Sequence, residues 1–511
     1  MKGENTNSFL ILIPFALLAY YACLWYFSGS RLRKGLQNPP GPKQRFITGN
    51  LHQLSPLEPW LTFTSWSKAY GPIVYFKTLN SKNIVLNSAK VALDLLEARS
   101  AFYSDRPTNW MAGEIAGRKR TIFLTSFMDP RFKIMRRLLQ TGLNTRASKS
   151  YRPIQTQETQ ILLQNLATTP EDFATHIRRN AVAVILKVAY GYQIASNDDP
   201  LVHLLAKTSQ LMGSISIPGK YWVEFFPILR FIPDWFPGAG FKRRAKEVGR
   251  VTSNIECVPF DWAKTQIAND DHVESFTSKH LLSEDGLPVD GETEQNTKWC
   301  SAALFIGGGD TTVSTLRTFF FLMATNPSVQ AKAQAEIDLV APNRLPTLDD
   351  YDSLPYIRAL IREVMRWGPV APLGIPHLAM EDDVYDNYYI AKGTKVIANI
   401  WAITHDEEIY PEPFTFNPSR HLGDDAQPDP LKFVFGFGRR ACPGAHLAEM
   451  SIFLNVSNIL AVFNILKPVD QHGVEVEPTM EWTTGAATMH LKPFQCRIQP
   501  RSKEHLMLVG T

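Results

Sequence analysis

Residues 435–444 read Phe-Gly-Phe-Gly-Arg-Arg-Ala-Cys-Pro-Gly, and no other stretch restricts the possible folds of this chain so narrowly. A single cysteine, Cys442, stands between Gly438 and Gly444, with Arg439 and Arg440 close by. Glycines allow backbone conformations that other residues avoid and let a bulky group come near. Neighbouring guanidinium charge favours thiolate over thiol. Backbone amides in such a loop can donate to a sulfur and tune a metal bound to it. Beyond Pro443, the residues Ala445, Leu447, Ala448 and Met450 predict a buried helix running away from the loop. A free cysteine is ordinarily a small buried hydrophobe; the frame of glycines and arginines sets Cys442 apart.

The other four cysteines, Cys23, Cys257, Cys300 and Cys496, are scattered without paired spacing. That excludes a disulfide framework and fits a reducing compartment. A length of 511 residues would suggest about three domains of roughly 150 residues. No linker, low-complexity run or internal repeat divides the chain, so one large domain behind an N-terminal segment is the better reading. The formal charge is only +4 and no basic stripe with interleaved aromatics occurs, which argues against a nucleic-acid partner.

Residues 9–27 carry no charge. As a helix they reach about 28 Å, close to the ~30 Å hydrocarbon core of a bilayer. Tyr20, Tyr21, Trp25 and Tyr26 gather at the C-terminal end, where an aromatic belt belongs, whereas a cleaved signal peptide ends in small residues. Arg31, Arg33 and Lys34 follow, against only Lys2 and Glu4 ahead, which places the body in the cytosol. The expected organisation is a short lumenal N-terminus at 1–8, a transmembrane anchor at 9–27, a basic and proline-rich hinge at 28–45, and a catalytic domain at 46–511. Within the hinge, Pro39-Pro40-Gly41-Pro42 reads as a semi-rigid spacer. The body reads as mainly α with a minor β part. A helix is predicted over 327–340, with Val329, Ala333, Ala335, Ile337 and Leu339 as its apolar set. Strands are predicted at 73–76 and 83–86 around an Asn80-Ser81 turn, and at 395–400, with a turn-rich corner at 234–240.

Two further patterns bear on chemistry. Gly307-Gly308-Gly309-Asp310-Thr311-Thr312 follows an apolar run at 302–306. Three glycines inside a helix cost about 1 kcal/mol each relative to alanine and so need a reason. No Gly-Lys-Ser/Thr follows, so a phosphate-binding loop fails. Glu363 and Arg366 form an i,i+3 pair, worth only about 0.2–0.5 kcal/mol on a solvated helix. Their position matters more, because they precede residues 369–377 (PVAPLGIPH) and 416–420 (FNPSR).

These patterns, in this order, resemble the cytochrome P450 family. Its haem-binding signature Phe-x-x-Gly-x-Arg-x-Cys-x-Gly is matched at Phe435, Gly438, Arg440, Cys442 and Gly444. The resemblance runs from the anchor to about Gln499. It is greatest to fungal, basidiomycete-type secondary-metabolism monooxygenases, through stretches such as YPEPFTFNPSRHL and SLPYIRALIREVMRWGPVAPLGIPH. It implies the family's mainly helical fold behind a single N-terminal transmembrane helix, and haem b whose iron takes the Cys442 thiolate as axial ligand. By the same resemblance Phe435 packs against that cysteine, and Arg440, Arg136 and His377 reach the haem propionates. The glycine segment becomes a central helix passing over the haem, with Asp310 and Thr311 relaying protons through water. Glu363, Arg366 and Arg420 become a structural triad serving folding and haem retention. One departure stands out: the family's Trp-x-x-x-Arg reads Phe132-Lys133-Ile134-Met135-Arg136 here, and Phe132 has no indole N–H to donate.

The implied activity is oxidation of a small apolar secondary metabolite (terpenoid, polyketide or aromatic) by dioxygen at the endoplasmic reticulum membrane. The stretch after Cys442 is too short for flavin domains, so electrons from NADPH come through a separate NADPH–cytochrome reductase. Lys133, Arg136, Arg137, Arg439 and Arg440 are candidates for its docking face. By analogy with the family, the pocket is lined from 109–125, 209–217, 302–306, 370–373 and 483–487, mostly apolar or small residues without a charged anchor. A haem-thiolate isomerase or dehydratase would need no external electrons, and Asp310 with Thr311 argues against it. A haem sensor would show spectra that apolar compounds do not perturb.

Overall fold

A long buried helix organises the molecule, and the site is assembled along it. The structure, a computed structural model, describes residues 36–510 apart from 56, 197, 217–218, 283–284, 286 and 484–487. The predicted anchor at 9–27 lies outside the described residues, as does most of the basic segment after it. In chain order the helices that matter are α1 (Pro130–Leu143), α2 (Arg152–Thr168), α3 (Phe173–Tyr190) and α4 (Pro200–Ile215), then α5 (Gly291–Thr325), α6 (Pro327–Val340), α7 (Pro355–Trp367) and α8 (Ala445–Val462).

Helix α5 has 35 residues, about 52 Å at 1.5 Å per residue. The Asp290 side chain starts it by accepting the Glu292 and Thr293 N–H groups, both at 2.9 Å. Asn326-Pro327 ends it, since the residue before proline is pushed out of helical geometry. Its C-terminal half (Val313, Leu316, Phe319, Phe320) packs with Ile357, Leu360 and Val364 of α7 and with Phe453 and Leu454 of α8 in one apolar cluster. Its N-terminal half (Cys300, Leu304, Phe305) packs with α3 and α4 in a second. Among the described residues α8 is the one helix long and apolar enough to cross a membrane, and 72% of it is buried inside the protein. It is a core helix, as its continuous apolar surface requires.

The small sheet contains β1 (Ile73–Thr78), β2 (Ser81–Leu86), β3 (His377–Leu378) and β4 (Lys395–Ala398), in the order β1-β2-β4-β3. Only β2 and β4 run parallel, with Ile84 opposite Val396. The hairpin is tighter than expected. Thr78 pairs with Ser81, so the turn is Leu79-Asn80 rather than Asn80-Ser81. Leu79 holds a left-handed φ of 52° because its side chain is buried there, against its backbone preference. Strand β4 ends at Ala398, not at 400, because the Asn399 side chain accepts the Ala402 N–H and starts a short helix at Ile400. Two short pairings follow from β5 (Phe463–Leu466), β6 (Trp482–Thr483), β7 (His490–Leu491) and β8 (Arg497–Pro500): β5 with β8 and β6 with β7 are both antiparallel.

The bounds of α6 are as expected, and Val329, Ala333 and Ile337 are buried as its pattern predicts, but the rest of its buried face differs. Ala335 and Leu339 face solvent, while Gln330 and Gln334 are buried. Gln330 brackets Ile465, taking its N–H at 2.8 Å and donating to its carbonyl at 3.1 Å, and Gln334 donates to the Phe463 carbonyl at 3.1 Å. The proline run is docked on the sheet. The Tyr75 N–H donates to the Pro40 carbonyl at 2.8 Å, and a Cβ at Gly41 would collide with the Tyr75 carbonyl.

Candidate active site

Backbone geometry, more than side-chain chemistry, shapes the loop before α8. Gly436 and Gly438 take positive φ of 76° and 52°. A Cβ on Gly438 would come within 2.4 Å of the Leu96 carbonyl oxygen, so no other residue fits without backbone movement. The Gly438 N–H donates to the Glu97 carboxylate at 2.5 Å. The Cys442 N–H turns back to the Phe435 carbonyl at 2.8 Å, and Phe435 itself packs against the main apolar cluster. Arg136, from α1, donates to the Ala441 carbonyl at 2.6 Å, beside the cysteine. The Cys442 side chain is accessible, yet protein surrounds it closely enough that burial raises its thiol pKa. A hydrogen bond from the Gly444 backbone and the Arg136 charge pull the other way, by less. The loop by itself therefore favours the thiol, as burial does at Cys300 and Cys496, and a metal at the sulfur would ionise it.

Around this loop lies an unusual concentration of buried positive charge. Arg440 donates to the carbonyls of Ser104 (2.7 Å), Ile122 (3.2 Å) and Thr125 (2.8 Å). Its guanidinium sits over the Phe132 ring, 3.9 Å from the centroid. Arg106 is buried and donates from Nη1 to the Ile375 and Pro376 carbonyls at 2.5 and 2.9 Å, while its Nε has no partner. His377 is buried with Nδ1 2.7 Å from the Tyr103 carbonyl, which makes Nδ1 the donor and leaves Nε2 as the other polar atom of the ring. Burial, then Arg440, push the Arg106 guanidinium down to about 9. Burial and Arg136 push Arg440 down to about 10 against the pull of Asp105. Burial, Arg106 and Arg440 push His377 down to about 3. Asp105 is the carboxylate that offsets these cations, and its Oδ1 is already taken by the Arg106 and Phe127 N–H groups. Three guanidiniums with one committed carboxylate, an orphaned Nε and a nearby thiol fit a group with an anionic edge and a thiophilic metal centre.

The glycines of α5 have separate reasons. A Cβ at Gly308 would press on Ile185 of α3 at 2.8 Å, and one at Gly309 on Leu205 of α4 at 2.3 Å. They allow close helix packing. At Gly307 the nearest atom is the Phe123 ring tip at 3.6 Å, so this side stays open and faces the predicted lining segment. Thr311 Oγ1 donates to the Gly307 carbonyl at 2.6 Å. Asp310 points another way: its Oδ2 accepts from His490 Nε2 at 3.1 Å and Thr488 Oγ1 at 3.2 Å. Burial raises this carboxyl, but the bonds from His490 and Thr488 and the charge of Arg178 outweigh it and hold it below its usual range.

The structure brings Glu363, Arg366 and Arg420 together at the back of the core. Glu363 accepts from Arg366 Nε and Nη2 (2.8 and 2.9 Å), Arg420 Nε (3.1 Å), the Asn417 N–H (3.0 Å) and His421 Nε2 (2.9 Å). Arg366 spends its remaining donors on the Thr404 and Pro413 carbonyls at 2.8 and 2.7 Å. Burial alone raises the Glu363 carboxyl; the bonds from His421 and Arg366 overcome this and lower it. His421 is thus a fourth member that sequence reasoning missed. Arg106 and His490 were also missed. Arg106 stands only before a proline and His490 in a two-residue strand, and no local pattern marks either. Of the predicted lining segments, 109–125 forms a wide helical turn at Trp110–Ile115, with Met111 and Ala112 packed against Ile215 near the end of α4. Residues 217 and 484–487 lie outside the described residues.

A family model described as Cytochrome P450 matches residues 39–497. The curated relatives include the cytochrome P450 monooxygenase claR of Ampulloclitocybe clavipes, 40% identical over 95% of this chain and 91% of its own length. Cytochrome P450 monooxygenase 208 of Postia placenta is 39% identical over 98% of both chains. The monooxygenase ppsD of Aspergillus oryzae is 36% identical over 98% of this chain and 96% of its own.

Proposed function

The chain belongs to the cytochrome P450 family, and from that premise we propose that Cys442 is the axial ligand of its haem iron. The protein is a haem-thiolate monooxygenase of fungal secondary metabolism that takes electrons from an NADPH-using reductase. The observation that carries the ligand assignment is the gathering of Arg106, with its unpartnered Nε, Arg136 and Arg440 around a loop that leaves the Cys442 side chain accessible. Arg440, Arg106 and Arg136 would hold the anionic edge of the haem, and His377 would join them once that edge draws a proton onto its Nε2. When bound, haem supplies reductive activation of dioxygen and transfer of one oxygen atom to substrate. Phe435 and Gly444 fix the Cys442 sulfur through the backbone, and Gly438 gives the loop its reversal. Thr311 presents its hydroxyl at the open side of α5, and Asp310, ionised at neutral pH, takes a proton from water and passes it on. Glu363, Arg366 and Arg420 keep the wall behind the loop in place. Replacing Cys442 by alanine removes the thiolate-type spectrum of the reduced carbonyl complex; an unchanged spectrum would refute the ligand assignment.

The substrate is a small apolar metabolite (a terpenoid, polyketide or aromatic), in keeping with the apolar lining segments. Fungal members of the family are generally membrane-associated, and for this chain the proposal is a single anchor at 9–27, a hinge at 28–45 and a cytosolic catalytic domain at the endoplasmic reticulum. Support for a lipid-facing side comes from exposed Trp222, Phe231 and Trp235 (61, 70 and 79% exposed), together with Phe46, Ile47 and Leu57. Leu51 lies 3.4 Å from the Cβ position of Gly219, which brings the two groups to one side. Lys133, Arg137 and Arg439 are exposed and suit a reductase face, whereas Arg136 and Arg440 are turned toward the haem site.

A further inference from the structure

We propose that His490 is the positioning residue for Asp310: from β7, together with Thr488, it holds one oxygen of the carboxylate and thereby sets how readily that carboxylate takes up and delivers protons. The inference rests on the reading of Asp310 as a proton relay.

Both recorded bonds fall on Oδ2, from His490 Nε2 and Thr488 Oγ1, so Oδ1 is the oxygen left for water. His490 and Thr488, two residues apart, both reach the same carboxylate oxygen and so project to the same side. Their placement is fixed from three directions. Ser314 Oγ, one helical turn beyond Asp310, donates to the Met489 carbonyl at 2.5 Å. The Met489 N–H donates to the Val370 carbonyl at 2.7 Å, between α7 and β3. Thr483 Oγ1 and the His490 backbone bond reciprocally at 3.1 and 3.2 Å across the β6–β7 pair. The carboxylate is thus aimed by side chains from outside its own helix.

The pair also reaches water: the side chains of His490 and Asp310 are 18 and 24% exposed. The other charged group facing Asp310 is Arg178 of α3, and Arg317, further along α5, is lowered by burial and by Arg178. The bonds from His490 and Thr488 and the charge of Arg178 therefore hold the aspartate in its ionised form. The imidazole orients the carboxylate through its bond to Oδ2. Loss of the imidazole loosens the aim while raising the affinity of Asp310 for its proton. A purely structural pin would affect stability without moving either property.

The test uses full-chain holoenzyme with an NADPH–cytochrome reductase and no added substrate, comparing wild type, His490→Phe, His490→Gln and Asp310→Asn. Hydrogen peroxide released per NADPH reports failure of proton delivery, and the infrared band absent from Asp310→Asn reports ionisation of that carboxyl. His490→Phe is expected to raise peroxide yield by about tenfold and to move the Asp310 titration up by about one pH unit. His490→Gln, which keeps a donor, restores most of the wild-type yield. If His490→Phe leaves both the yield and the band unchanged while Asp310→Asn alters the yield, the role of His490 is overturned and the relay stands. If Asp310→Asn itself leaves the yield unchanged, the relay reading falls. Should His490→Phe fail to show the reduced carbonyl spectrum, Thr488→Val takes its place. It removes the other donor to Oδ2, so the same shifts in yield and band support the proposal and their absence overturns it.

Discussion

Phe132 stands where the family usually places a tryptophan, and its ring serves a different purpose. It cannot donate to a propionate, but it carries the Arg440 guanidinium 3.9 Å above its face and packs against Phe127 at 5.5 Å. The departure gives up one expected contact with the haem edge and supports instead the arginine proposed to hold that edge. A buried cation–π contact contributes about 0.5–2 kcal/mol. Phe132→Leu is therefore expected to lower haem retention several-fold while leaving the thiolate spectrum of the retained fraction unchanged, read as Soret absorbance per protein after gel filtration. The two signature glycines differ as sharply. At Gly438 both a positive φ and the Leu96 carbonyl oppose a side chain, so Gly438→Ala is expected to cost about 1–3 kcal/mol or more and abolish haem incorporation. At Gly444 a Cβ meets nothing closer than Leu143 at 3.9 Å and the Cys442 sulfur at 4.0 Å. Gly444→Ala is expected to fold, take up haem and shift the Soret band. Equal outcomes at the two positions, read from the reduced carbonyl spectrum, would contradict this steric argument.

At the level of elements, legibility followed locality. The cysteine loop, the glycine run of α5 and the bounds of α6 were readable because each is dictated by residues adjacent in sequence. The buried face of α6 was legible only in part: periodicity selected Val329, Ala333 and Ile337, which are buried, and also Leu339 and Ala335, which are not, while the structure buries Gln330 and Gln334 because β5 leaves an N–H and two carbonyls to satisfy. The same holds at the site. Arg440 and His377 were singled out through motifs, but Arg106, His421 and His490 make their contacts with partners roughly 60 to 330 residues away in the chain, and no window of sequence contains such pairs. Glu363 shows what the difference is worth. On a solvated helix its pair with Arg366 is marginal; buried, with five donors on one carboxylate, removal of the acid strands two arginines. Glu363→Ala is expected to destabilise the protein by about 3–5 kcal/mol and to yield chain without haem, measured by denaturant unfolding and pyridine haemochrome content.

For the whole molecule, buried ionisable groups set the response to acid. His405 is stacked on Trp401 with ring centroids 4.0 Å apart, its Nδ1 2.9 Å from the Trp401 carbonyl. Burial, then Arg366, push it down to about 3. A histidine with a lowered folded pKa contributes stability that is complete above its unfolded pKa, about 6.5. That contribution is lost as pH falls toward 3, at about 1.4 kcal/mol per pH unit. Glu363, also lowered, adds its own loss below the ordinary carboxylate range. Stability is therefore expected to decline from about pH 6 downward, and His405→Phe to flatten that slope, as read from urea midpoints at a series of pH values. On the outside, Lys133, Arg137 and Arg439 are expected to act together. Reversing all three to glutamate should raise the KM for reductase by about tenfold or more at low salt, with the difference shrinking as salt rises.

Arg439 and Arg440 are consecutive, yet they turn to opposite sides of one aromatic pair: Arg439 lies exposed over Phe127 and Arg440 inward over Phe132. A single peptide bond therefore separates the residue assigned to the proposed reductase face from the residue assigned to the proposed cofactor cradle. Selection can act on the first without disturbing the second. A lineage that changes its electron donor can rewrite position 439 while the cofactor loop stays intact, so partner choice and cofactor loading are free to evolve as independent traits in this fold.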